Sequence, residues 1–108
     1  MPKKIMCREM SDQEIELIAA RFRALGEASR LKLIMALDEG AKNVSQLVKA
    51  THLSQSNASC HLRTLTNAGV LSRRREKTEV FYALAAPGIC ELLLKVSRDL
   101  DRRPKPGP

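Results

Sequence analysis

The sequence predicts a mainly α-helical domain carrying a single β-hairpin, and three observations lead there. Hydrophobic residues make up 44% of the chain but aromatic residues only 3%, with no Trp, so Leu, Ile, Val and Ala must fill the core, as suits helix packing. Apolar residues recur at spacings of three and four along successive stretches bounded by capping residues or glycine. One stretch alone, "VLSRRR" followed by "TEVFYAL", sets β-branched, aromatic and extended-compatible residues around a polar Glu76-Lys77, the mark of a short hairpin. At 108 residues the chain is one domain with little surface to bury, and dimerisation is expected.

The first helix opens at Ser11 with Glu14 three residues on, a capping-box pattern in which each side chain satisfies a free backbone N–H. Ile15, Ile18, Phe22 and Leu25 form one stripe and Leu17, Ala20 and Ala24 another, roughly opposite. A helix apolar on two sides needs a second surface to cover it. Gly26 ends it, and "ASRLKLIMAL" forms a second helix with Leu31, Ile34, Met35 and Leu37 as its apolar positions, stopped by Gly40. "NVSQLVKAT" is a third, with Val44, Leu47 and Val48 inward. His52 and Leu53 lead to Ser54, an N-cap for a fourth helix that runs to about Ala68 and Gly69. After the hairpin, Pro87 and Gly88 punctuate, and Ile89, Leu92, Leu93, Val96 and Leu100 mark a last helix. The division expected is an N-terminal arm over 1–10, the domain over 11–103 and a disordered basic tail over 104–108.

A formal charge of +7 and a pI near 9.8 direct the chain to polyanions, nucleic acid first and an anionic membrane surface second. The longest apolar run, Val80 to Ala86, is too short to span a bilayer, and "MPKKIMCREM" has no signal-like apolar stretch, so a cytoplasmic location and no membrane partner are expected. The three cysteines, Cys7, Cys60 and Cys90, are scattered and include no Cys-x-x-Cys, which suits reduced thiols rather than a disulfide framework or zinc knuckle. No acid-base pair, Gly-rich phosphate loop, or Ser or Cys with a local base stands out, and an enzyme is not expected.

The order helix, helix, helix-turn-helix, hairpin, helix looks like a winged helix-turn-helix. "ALGEASRLKLIMAL", "LSQSNASCHLRTLTNAGVLSRRRE" and "VFYAL" resemble segments of the ArsR/SmtB family of bacterial metal- and stress-responsive repressors, over roughly residues 15 to 100. The resemblance implies a homodimer joined through first and last helices, which represses transcription by binding double-stranded operator DNA and releases it when an inducer binds.

In that setting the fourth helix is the recognition helix. Its small polar start lets the backbone approach the major groove, where Gln55, Ser56, Asn57 and Ser59 can reach bases or phosphates. At about 100° per residue, Ala58, Leu62 and Leu65 face the core while Ser56, Cys60, Arg63 and Asn67 face away. His61 sits at the edge of the core stripe, where it packs or makes a local hydrogen bond rather than binding metal. Arg73, Arg74, Arg75 and Lys77 make the hairpin a basic wing suited to a phosphate strand or the minor groove. Family wings often have a glycine at the tip, whereas this one reads Glu76-Lys77-Thr78.

Metal-sensing members carry a Cys-x-Cys-type motif at the start of the helix before the recognition helix, or Asp/His pairs along the last helix. "AKNVSQLVKAT" and "ICELLLKVSRDLDRR" have neither, and Met35 and about Asp101 stand where dithiol sensors place their cysteines. Cys7, Cys60 and Cys90 remain as candidate inducer or redox thiols, toward a thiophilic metal or metalloid or a thiol-reactive species. Cys7 and Cys90 would approach each other near the dimer interface. The competing expectation is an interaction protein that kept the winged fold and binds RNA or an acidic protein without a sensing role.

Overall fold

The computed structural model describes residues 9–102. Its elements are α1 (Asp12–Leu25), α2 (Ala28–Leu37), β1 (Lys42–Asn43), α3 (Val44–Thr51), α4 (Gln55–Asn67), β2 (Leu71–Glu76), β3 (Glu79–Leu84) and α5 (Gly88–Arg102). The expected helices and hairpin are present in the expected order. The basic tail, most of the N-terminal arm and Cys7 lie outside the described residues.

Local chemistry accounts for the helix starts. Ser11 Oγ accepts the Glu14 N–H at 3.1 Å while Glu14 Oε1 accepts the Ser11 N–H at 3.2 Å, the reciprocal box foreseen. A second such box, between Asn43 and Gln46, opens α3 with both bonds at 2.9 Å. Asn43 has extended backbone, φ −87° and ψ 173°, which lets it end a strand as well as cap a helix. Lys42 and Asn43 pair with Tyr82 and Phe81 as a two-residue strand, so the hairpin becomes a three-stranded antiparallel sheet in the order β1-β3-β2. A strand of two residues is too short for alternation to reveal.

The core lies between α2, α3, α4 and the inner face of the sheet. Leu33 and Ile34, Leu47, Leu62 and Leu65, and Val70 have no exposed surface, and Leu37, Leu71, Tyr82 and Ile89 pack with them. Leu33 therefore takes the core position that the sequence reading gave to Met35, which is 67% exposed. "LKLIMAL" is apolar around most of the helix, so periodicity cannot pick its inner face.

α1 and α5 differ from this centre. Ala24 and Leu25 are buried at the end of α1, and Ile89 at the start of α5. Ile15, Leu17, Ile18 and Phe22 on α1, and Leu94, Val96 and Leu100 on α5, remain exposed. The two-sided apolarity of α1 is thus unmet by its own chain over most of its length.

Candidate nucleic-acid interface

α3 and α4 form the helix-turn-helix. α3 ends at His52, whose φ of 62° is left-handed and whose N–H bonds to the Val48 carbonyl at 2.8 Å. The left-handed residue that reverses such a turn is usually glycine, and here His52 supplies it. Two residues later Ser54 caps α4, its Oγ accepting the Asn57 N–H at 3.2 Å. The cap fixes where α4 begins and leaves its first-turn side chains free.

The division of α4 into two faces follows the wheel. Ala58, Leu62 and Leu65 have no exposed surface. Ser56, Cys60, Arg63 and Asn67 are exposed, as are Gln55 and Asn57, and Ser59 is half-buried between the faces. Cys60 thus lies in the middle of the open face, between one helical turn carrying Ser56 and another carrying Arg63.

α4 is held from behind by two arginines that the sequence reading passed over. Arg21 on α1 donates through Nε to the Ala68 carbonyl at 3.3 Å, satisfying the end of the helix. Arg30 on α2 donates through Nε to His61 Nδ1 at 3.1 Å, and through Nη1 to the Arg23 and Ala24 carbonyls at 3.4 and 3.3 Å. His61 makes a hydrogen bond as expected, but its partner is 31 positions away rather than local. No sequence spacing connects the two residues, so only the packing of α2 on α4 reveals the contact.

The wing separates its cations. In the ladder Arg73 pairs with Tyr82, Arg74 with Phe81 and Arg75 with Val80, and cross-strand partners share a face. Arg73 and Arg75 therefore lie on the face that carries Leu71 and Tyr82 into the core, and Arg74 on the other. Arg74 rests over the Phe81 ring at 5.8 Å and pairs with Glu76 at 3.4 Å. Both members of that pair are largely exposed, so the ion pair itself adds little stability. The tip needs no glycine because Lys77 adopts the left-handed conformation, φ 56°.

Cys60 is exposed and Cys90 half-buried. Burial pushes the Cys90 thiol above its ordinary pKa, and a hydrogen bond to Asp38 together with that carboxylate's charge pushes it further. Met35, Asp38, Cys90 and Leu94 line a cavity of about 460 Å³ between α2 and α5. Among the described residues, no three His, Cys, Asp or Glu side chains converge in a metal-binding group, and no helix is long and apolar enough to cross a membrane.

A three-helix body, a capped polar-faced helix after a tight turn, and a basic hairpin beside it define a winged helix-turn-helix. Residues 27–73 match the family described as bacterial regulatory protein, arsR family. The chain is 33% identical over 93 residues to the uncharacterized HTH-type transcriptional regulator Rv0081 of Mycobacterium tuberculosis, covering 85% of this chain and 82% of that one. The crystal structure of Rv0081 superposes with a TM-score of 0.73 over 85% of this chain and 93% of its own. A homodimeric winged helix-turn-helix DNA-binding domain from Mycobacterium bovis, 27% identical, gives 0.74 over 89% and 91%. The probable mercury resistance operon repressor of Streptomyces lividans is 32% identical over 68% of this chain and 58% of its own length. The chain belongs to the ArsR family of transcriptional regulators. That membership makes it a regulator rather than an enzyme, and it does not favour the RNA- or acidic-protein-binding alternative.

Proposed function

We propose that two copies of this chain pair through α1 and α5 and bind operator DNA as a cytoplasmic repressor, with α4 in the major groove and the β2-β3 wing against the backbone. The observation that carries this reading is the division of α4, whose apolar face is fully buried while Ser56, Cys60, Arg63 and Asn67 stand exposed. Gln55, Asn57 and Ser59 join them at the capped start, where side chains reach base edges. Arg73, Arg75 and Lys77 supply phosphate contacts, and Arg74, lying over Phe81, is held ready for a groove edge. A homodimeric structural relative and a net charge of +7 support the same arrangement.

The test is binding to duplexes selected from a random pool. A preferred, two-fold symmetric site bound on the order of a thousandfold more tightly than random duplex is expected, with affinity falling steeply as salt rises. Binding that shows no preference overturns the reading. For the inducer, a thiophilic metal or metalloid or a thiol-reactive compound acting on the face of α4 is the reading we favour, because Cys60 is exposed there while the Cys90 thiol holds its proton. An adduct on Cys60 would obstruct the groove directly. Retained induction in Cys60→Ser eliminates that route, and Cys7→Ser and Cys90→Ser in the same assay test the interface thiols.

A further inference from the structure

We infer that the groove between α2 and α5 is a binding site for a small organic cation with an apolar body, of the arylalkylammonium kind. None of the residues that line it belongs to α4 or the wing, and the inference does not depend on the DNA reading.

The groove encloses about 460 Å³, within the range of roughly 300 to 1,000 Å³ usual for small-molecule sites. Met35 on α2 and Leu93 and Leu94 on α5 give it apolar walls, and Met35 and Leu94 are largely exposed. An apolar body seated between them removes surface from water that their own chain leaves open. The proposed pairing of two copies uses a different side of α5. At about 100° per residue, Val96 and Leu100 lie roughly 100° round the helix from Cys90, Leu94 and Ser97, so the groove wall and that stripe are separate surfaces.

The polar groups select the charge of the occupant. Asp38 and Glu91 line the groove and no Lys, Arg or His does, although the chain carries a net charge of +7. Among the described residues the one ion pair is Arg74–Glu76, so neither carboxylate has a cation of the chain within 4.0 Å. Asp38 also stands at the C-terminal end of α2, where the helix dipole adds negative potential. The Cys90 thiol is hydrogen-bonded to Asp38, which orients the carboxylate and leaves other acceptor positions on it open. A metal ion does not fit, since among the described residues no three His, Cys, Asp or Glu side chains converge. An anion would meet two carboxylates, and a neutral molecule would leave both unpaired. A single ammonium group reaching Asp38 or Glu91, with its hydrocarbon part on Met35, Leu93 and Leu94, uses both halves of the groove.

The test uses the whole chain and 1-naphthylmethylammonium, with 1-naphthylmethanol and 1-naphthoate as neutral and anionic controls of similar shape. In NMR titrations near neutral pH the cation should bind with a Kd on the order of 100 µM, as suits a fragment of its size, and shift the Met35, Cys90 and Leu94 signals. The alcohol should bind about tenfold more weakly, and the carboxylate should leave those signals unmoved. Asp38→Asn with Glu91→Gln keeps hydrogen-bonding groups of the same shape without the charges. That variant should bind the cation no better than the alcohol, with its affinity for the alcohol within about twofold of wild type. Equal affinity of the wild-type chain for cation and alcohol, or wild-type affinity for the cation in the variant, overturns the inference. A second arm needs no variant: cation at about ten times its Kd should slow iodoacetamide alkylation of Cys90 about tenfold by mass action and leave Cys60 unaffected. An unprotected Cys90 refutes the site. Met35 and Leu94 signals that follow protein concentration rather than added cation would assign the groove to a second copy of the chain and refute it as well.

Discussion

The centre of the molecule and its flanking helices follow the same apolar periodicity with opposite outcomes. Leu33, Ile34, Leu47, Leu62 and Leu65 are wholly enclosed by their own chain. Ile15, Leu17, Ile18 and Phe22 on α1, and Leu94, Val96 and Leu100 on α5, recur at similar spacing and remain open. Spacing shows that a helix has an apolar side, but it does not say whose surface covers it. In a chain of 108 residues the first set is enough to close one small core, and the second is left for another molecule. In the function proposed above, that division makes the centre a scaffold for α4 and the flanks the surface through which two copies of α4 are placed on one duplex.

Four experiments test whether centre and flanks differ in this way. The largest effect is expected at the flanks: Phe22→Glu with Leu100→Glu should dissociate the dimer in sedimentation and lower affinity for a two-half-site duplex on the order of a thousandfold, since the second half-site no longer adds to the first. Helical circular dichroism should persist, because neither side chain belongs to the closed core. In the centre, Leu62→Ala should cost about 3 kcal/mol in urea unfolding through the cavity it leaves; a loss well under about 1 kcal/mol would mean the centre is no better enclosed than the flanks.

Thiol chemistry distinguishes the open face of α4 from the α2–α5 boundary. Cys60 should be alkylated about tenfold faster than Cys90 near pH 8, because only thiolate reacts and Cys90 holds its proton more tightly. The ratio should narrow as pH rises, since Cys90 then ionises as well. The same shift has a stability sign: the folded chain binds this proton more tightly than the unfolded chain does, so the contribution is present below the ordinary thiol pKa and is lost as pH climbs through the raised one. The smallest effect is at the turn between α3 and α4, where Ser54→Ala should cost about 1 kcal/mol by removing the cap on Asn57 N–H.

Much of the fold was legible because its signals are local. The Ser11–Glu14 box, the Ser54 cap and the two-faced wheel of α4 depend on residues within a turn or two of each other. β1 escaped notice because two residues carry no pattern, and the choice of Leu33 over Met35 escaped because α2 is apolar nearly all round. On the wing, alternation along β2 already implied that Arg74 faces away from Arg73 and Arg75.

What the sequence determined alone was the order of elements, the start of α4 and the side of it that faces out, because helix geometry turns short-range spacing into a face. Tertiary structure decided the rest: the strand that joins Asn43 to Phe81, the left-handed Lys77 that replaces a tip glycine, and the Arg30 side chain that reaches His61 across 31 positions. The strand pairing and the Arg30–His61 contact form only when packing brings distant segments within a few ångströms, and no interval along the chain encodes that distance.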